Sequence, residues 1–286
     1  MITVEKAPAK LNLGLQIMGK RSDGFHDLVS IFQTINLYDQ LIFDGAQKGQ
    51  TLLSCDDPKL SCGPDNLVWR AVDVFRQATG IDKGIQIHLK KQIPYGAGLG
   101  GGSSDAATVL GVLNRIWDAK LSIDSLRNLG LSLGSDVPFF LQKGTALVKG
   151  RGEHVHYLSW RAELVYVLVV PGFEIATGWA YANYKKALTE KGGYATFLDS
   201  VSPDEIGISD LLRHLRNDFL PLVVQTHPEV TQVLTEFEKA GAVATSLSGS
   251  GSTLYGVFED LQRAQKAWQI FQKSGYRVFL CHPVLS

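Results

Sequence analysis

The chain is sparing with cysteine, which occurs only at positions 55, 62 and 281 of 286 residues. Three is an odd count with no metal-ligand spacing, so a disulfide framework and a zinc site are both disfavoured, and a reducing cytoplasm is expected. Neither sign of charge prevails: 28 Lys and Arg face 28 Asp and Glu. No overall field therefore draws the chain towards nucleic acid or an anionic membrane. Long apolar runs are missing too, residues 164–170 being far too short to span a bilayer. The start, Met1-Ile-Thr-Val-Glu-Lys6, lacks the apolar core of a signal peptide. Repeats and low-complexity tracts are also lacking. What is left is an ordinary globular composition on a chain long enough for two domains.

Glycine, by contrast, is concentrated. Pro94-Tyr-Gly-Ala-Gly-Leu-Gly-Gly-Gly-Ser-Ser104 places Gly96, Gly98, Gly100, Gly101 and Gly102 within seven residues. Backbone without side chains bends through positive φ and comes close to a ligand. The following residues 105–117 carry Ala106, Val109, Leu110, Leu113 and Trp117 on one helical stripe. A glycine loop feeding a helix N-terminus offers unpaired N–H groups to a phosphate. Ser103 and Ser104 add hydroxyls able to cap the helix, meet a phosphate oxygen or hold a metal ion.

Several phosphate loops fail the comparison. A dinucleotide fingerprint follows a buried apolar strand, whereas Ile85-Gln-Ile-His-Leu-Lys-Lys91 alternates like a half-exposed antiparallel one. A Walker loop needs a lysine after the glycines, and a protein-kinase loop a following Val-Ala-Ile-Lys strand. Neither is present. A plain glycine-rich turn is the bland alternative.

Periodicity predicts strands over 1–18 (interrupted by Pro8), 28–37 and 39–44. A helix over 66–79, a strand over 85–91 and a helix over 105–117 follow, then a short helix over 123–133 and a strand over 144–149. The pattern restarts with a buried strand at 164–170 and a helix from Thr177 through Ala187. A polar, irregular connection covers 189–208. The last third reads helix 230–240, strand 242–247, turn, strand 253–258, helix 261–274, strand 276–281, a split βαβ order. The domain boundary is placed near residues 153–161, giving domains 1–155 and 156–286.

Three motifs stand in order: Lys6-Ala-Pro-Ala-Lys-Leu-Asn-Leu-Gly-Leu15, the glycine loop, and Leu247-Ser-Gly-Ser-Gly-Ser-Thr253. In this order they resemble the GHMP kinase superfamily of small-molecule kinases. Lys20-Arg-Ser-Asp-Gly-Phe-His26 with Leu28-Val-Ser-Ile-Phe32, Gly134-Ser-Asp-Val-Pro-Phe-Phe140 and Leu215-Arg-Asn-Asp-Phe219 are similar to one branch of it. The resemblance implies an α+β fold of two domains, the first like domain 2 of ribosomal protein S5 and the second ferredoxin-like, with the site in the cleft between them. It implies ATP as phosphoryl donor, Mg²⁺, and a cytidine diphosphate ester of methylerythritol phosphorylated on its 2-hydroxyl. Those two small molecules are the expected partners, with no nucleic acid or membrane, for a monomer or homodimer. Another kinase of the superfamily, of homoserine or mevalonate type, and a catalytically silent nucleotide-binding homologue stay open as alternatives.

Residue by residue, the resemblance places the catalytic pair on Lys10 and Asp136, which would otherwise read as a surface lysine and a turn aspartate. It assigns Asn66, Lys91, Pro94, Gly96, Gly98, Leu99, Gly100, Gly101, Gly102, Ser103 and Ser104 to ATP, with Ser104 favoured for the metal. Asn66 doubles as a plausible N-cap. Substrate contacts fall on Asn12, Phe25, His26, Tyr181, Ser248, Gly249 and Ser250. Phe25 would stack on cytosine, His26 would bond its edge, and Tyr181 would oppose. Phe25 stands where most relatives carry Tyr. As ordinary structure, Phe25 and His26 would be a staple and a solvent histidine, Tyr181 a core tyrosine, and 248–252 a hairpin turn. Asp105 suits the helix dipole and is left out of the site.

Overall fold

The computed structural model describes every residue except 1, 160–162, 185–196, 199–201, 203–205 and 286. The chain divides into two compact units, each drawn from three segments of the sequence. One comprises Met1–Ala9, Leu37–Tyr95 and Gly100–Lys143; the other comprises Lys10–Asn36, Gly96–Leu99 and Gly144–Ser286. Two long strands, β1 (Thr3–Lys20) and β2 (His26–Ala46), run through both. Pro8 does not interrupt β1, because β1 pairs only with β2 among the named strands and an edge strand tolerates a missing N–H. The two strands expected over 28–44 are one.

In the first unit the end of β2 pairs antiparallel with β4 (Gly84–Lys90), which pairs parallel with β3 (Thr51–Cys55). Helix α1 (Leu67–Thr79) joins that parallel pair, as such a connection requires. Asn66 accepts from the Val68 N–H at 2.9 Å as its N-cap, and Gly80 ends it at φ 68°. Val68, Ala71, Val72 and Phe75 repeat at helical spacing and are buried, each large side chain contributing about 1.5–3 kcal/mol. Helix α2 (Gly101–Ile116) buries Ala106, Val109, Leu110 and Leu113, and α3 (Ile123–Leu133) and α4 (Val137–Phe140) pack beside it. It starts four residues before the predicted Asp105. Gly100 at φ 70° makes the turn, so Gly101 through Ser104 form the first helical turn.

In the second unit the start of β2 pairs with β5 (Thr145–Gly150), and β5 with β6 (His154–Leu158). A separate sheet holds β7 (Val165–Val170), β8 (Ala244–Leu247), β9 (Leu254–Phe258) and β10 (Arg277–Cys281) in the order β10-β7-β9-β8, all antiparallel. Helices α5 (Thr177–Asn183), α6 (Ile208–His214), α7 (Leu220–Thr226), α8 (Glu229–Lys239) and α9 (Leu261–Lys273) belong to this unit. The strand order is that of the expected split βαβ unit. Val167, Val169, Val233, Phe237, Phe258 and Phe271 build its core. The predicted helix residues 185–187 and most of the connection 189–208 lie outside the described residues. Among the described residues no helix is long and apolar enough to cross a membrane.

Candidate active site

The glycine-rich segment is shared by the two units, Gly96–Leu99 falling to the second and Gly100 onwards to the first. In the first unit, Ser104 Oγ is buried in the opening turn of α2 without a hydrogen-bond partner among the described residues. Below that turn lie three buried charges. Lys91 donates to Asp39 and, at 2.9 Å, to Asp105. Asp39 Oδ1 also accepts from the Gln92 and Ile93 N–H groups at 2.6 and 2.9 Å, fixing the approach to the loop. Burial lifts the Asp105 carboxyl to about 7; Lys91 pulls it down and Asp39 pushes it up. Lys91 is desolvated, yet the two carboxylates raise its pKa. Asn66 caps α1 and donates to the Ser61 carbonyl at 2.7 Å. Asp136 is the N-cap residue of α4, makes no side-chain cap and is half-buried.

The remaining residues belong to the second unit. Lys10 is buried on β1, donates to Asn12 Oδ1 and lies 4.6 Å from the Phe32 ring centroid. Asn12 Nδ2 donates to Ser30 Oγ at 2.9 Å, and Ser30 to the Gly14 carbonyl at 2.5 Å. The Tyr255 hydroxyl donates to the Asn12 carbonyl at 2.7 Å. Between β1 and the turn after β8 runs the segment 96–99. The Lys10 N–H donates to the Leu99 carbonyl at 3.0 Å, and Ser248 Oγ to the Gly98 carbonyl at 2.9 Å. A Cβ on Gly98 would stand 2.1 Å from the Ser248 carbonyl oxygen, and φ there is +78°, so only glycine fits. Ser250 Oγ lies 3.2 Å from the hydroxyl of Thr177, the first residue of α5.

The tip between β1 and β2 is tied by Arg21. Its guanidinium reaches Asp23 at 3.1 Å, Asp27 at 2.8 Å and Glu153 at 3.3 Å, while its N–H donates to the Phe25 carbonyl. His26 and Tyr181 stack on each other, with ring centroids 4.9 Å apart. Phe25 is half-exposed beneath the Arg151 guanidinium, 4.8 Å away. It is therefore His26, rather than Phe25, that shares a stack with Tyr181. Burial first, and then the nearby Lys20 charge, hold the His26 imidazole below its ordinary pKa.

The sequence assigns none of Asp39, Ser30, Arg21, Thr177 and Tyr255 to the site. Ser30 and Asp39 are fully buried polar residues of β2, a strand that also buries Gln33 and Thr34.

The family models described as GHMP kinases N terminal domain and GHMP kinases C terminal match residues 66–144 and 202–277. The fold and the paired glycine-rich turns are thus those of a GHMP kinase. A 4-diphosphocytidyl-2-C-methyl-D-erythritol kinase of Thermodesulfovibrio yellowstonii is 39% identical over 96% of this chain and 95% of its own length. One from Chlorobium phaeobacteroides is 42% identical over 94% and 93%. The crystal structure of a 4-(cytidine 5'-diphospho)-2C-methyl-D-erythritol kinase superposes with a TM-score of 0.77 at 29% identity, covering 99% of this chain and all of the other. Homoserine kinase from Cytophaga hutchinsonii shares the fold alone, at TM-score 0.74 and 18% identity over 99% and 95% of the two chains. The chain belongs to the 4-diphosphocytidyl-2-C-methyl-D-erythritol kinase family of the GHMP kinases.

Proposed function

We infer that this protein transfers the γ-phosphoryl group of ATP to the 2-hydroxyl of 4-diphosphocytidyl-2-C-methyl-D-erythritol, giving the 2-phosphate and ADP, a step in non-mevalonate isoprenoid precursor biosynthesis. The reading is carried by one likeness of about 40% identity that runs through nearly the whole chain, to kinases that bear this name.

Phosphoryl transfer asks mainly for positioning and charge neutralisation. We assign the backbone of Gly96–Gly102 with Ser103 and Ser104 to the ATP phosphates, and Pro94, Asn66 and Lys91 to the nucleotide's surroundings. The left-handed Gly96, Gly98 and Gly100 and the open first turn of α2 support this. Asp136 is assigned to accept or orient the proton of the attacking hydroxyl. Lys10 is assigned to hold that carboxylate ionised and place the hydroxyl, with Asn12 steadying its ammonium group. Phe25, His26 and Tyr181 are assigned to the cytosine, and Ser248, Gly249 and Ser250 to the rest of the substrate.

A divalent cation fits Ser104 Oγ, a buried hydroxyl oxygen otherwise without a partner among the described residues. Mg²⁺ arriving with ATP needs few protein oxygens. When bound, it would neutralise charge on the phosphates.

Coupled ADP release with the cytidine diphosphate substrate, homoserine and mevalonate compared side by side tests the reading. ADP should form with the first and scarcely with the others; equal turnover of a smaller alcohol would sink it. In the same assay Asp136→Asn should lower kcat by roughly 10²–10⁴.

A further inference from the structure

The motif Leu215-Arg-Asn-Asp-Phe219 has no part in the assignments above, yet it is among the most fully bonded stretches of the second unit. Its backbone docks on β1: the Leu15 N–H donates to the Arg216 carbonyl at 2.8 Å, and the Asp218 N–H to the Leu15 carbonyl at 2.9 Å. Buried Asp218 Oδ2 accepts from the Ile17 N–H at 2.9 Å and from the Tyr184 hydroxyl at 3.2 Å. Its other oxygen lies 3.4 Å from Arg216 Nε. Buried Asn217 uses its whole amide. Nδ2 donates to the carbonyls of Leu247 and Gly249, both at 2.8 Å, and Oδ1 accepts from the Phe219 N–H at 2.9 Å. Phe219 in turn meets the Tyr181 ring edge-on, with centroids 4.9 Å apart.

The turn thus gripped needs holding. Gly249 and Gly251 both sit at positive φ, and glycine loses more conformational freedom than any other residue when it is ordered. A single amide spanning two carbonyls of one turn fixes the turn's orientation as well as satisfying its acceptors. The other end of the same motif is pinned to β1, five and seven residues beyond Lys10, and to the residue that follows α5. We propose that Asn217 and Asp218 are positioning residues of the reaction: a clamp that holds the serine turn, β1 and the Tyr181 helix in one frame. The clamp rests on the reading of Ser248–Ser250 as a substrate-facing turn.

A double-mutant cycle on the full chain, read as kcat/KM for the cytidine diphosphate substrate at saturating ATP, tests it. Asn217→Asp keeps the acceptor for Phe219 but removes the donor to the turn. It should cost about 10- to 100-fold, the scale of a small misplacement at a reacting centre. Ser248→Ala should lower the same ratio. The double variant should then be no worse than Asn217→Asp, since both act through one turn. Multiplying losses would overturn the clamp and leave the substrate-facing turn standing. An inert Ser248→Ala would overturn the turn's role and the clamp with it. If Asn217→Asp fails to fold, Tyr184→Phe decides. Losing one hydrogen bond to Asp218 should raise KM for the cytidine substrate about 3- to 10-fold with kcat kept, and an unchanged KM would refute the clamp.

Discussion

Two glycine-rich turns are held from below by opposite chemistry. Under the first turn of α2 the support is ionic: one lysine and two aspartates, with side chains between 0 and 7% exposed. Under the serine turn of the second unit the groups that touch the turn are neutral: Asn217 Nδ2 donates to the Leu247 and Gly249 carbonyls and Ser248 Oγ to the Gly98 carbonyl, while the charges of Lys10 and Asp218 stand one residue further out, on Asn12 and on the Ile17 N–H. The ionic support uses few residues, each of which holds a separate stretch of chain. Removing one member leaves a charge buried without its match. Among the neutral groups each bond carries less, and losing one leaves only an unsatisfied dipole. Ionic support therefore buys rigidity with few side chains and tolerates substitution poorly.

The largest expected effect is that of Lys91→Met. Two adjacent carboxylates would be left buried, costing about 3–5 kcal/mol of stability in urea unfolding at pH 7. A loss below about 1 kcal/mol would show that solvent reaches the cluster, and the contrast between the two supports would collapse. Next comes Ser30→Ala, which strands Asn12 Nδ2 and the Gly14 carbonyl in the interior. Its cost should be about 1–3 kcal/mol, the range for a buried polar group left unpaired. A penalty equal to that of Lys91→Met would erase the distinction.

The smallest effect sharpens the comparison by pH. Burial already lifts the Asp105 carboxyl to about 7 while Lys91 pulls it down, so removing Lys91 raises it further and the folded variant holds that proton to higher pH than the native protein does. A group raised in this way gives stability that is present at low pH and lost as pH rises through its folded value. The Lys91→Met penalty should therefore shrink by about 1–2 kcal/mol from pH 8 to pH 5, and the Ser30→Ala penalty should stay flat. Parallel profiles would mean that Lys91 does not pull the Asp105 carboxyl down inside the fold.

Much of this was legible in the sequence, for local reasons. The glycine loop, the α1 cap at Asn66 and the stripes of α1, α2, α8 and α9 are patterns a few residues long. The start of α2 was misplaced because Gly101 and Gly102 are weak helix formers; their backbone is fixed by Gly100 and by the packing of Ile93, 3.0 Å from where a Gly101 side chain would begin. Strands β3 and β6 are not evident from the sequence because Thr51–Cys55 and His154–Leu158 are only five residues long, too short for a clear period. Members of the supports such as Lys91, Asn12 and Ser248 stood out in the sequence, but their pairings did not. Asp39 lies 52 residues from Lys91, and Asn217 lies 30 from Leu247. Pairing over such distances is set by topology, which no local period records. The expected mutual role of Phe25 and Tyr181 is a similar case. Sequence gives two aromatics, and only packing shows that His26 is the one stacked on Tyr181.

The lack of room for a Cβ at Gly98, which would stand 2.1 Å from the Ser248 carbonyl oxygen, has a consequence for inheritance. Backbone touches backbone there, so neither strand of the crossing can adapt by repacking a side chain. A library randomised at position 98 should return glycine alone. A graft of either turn from a distant kinase should work only when both are carried across together, although Gly98 and Ser248 are 150 positions apart in the chain. The two segments, far apart in the gene, descend as one part.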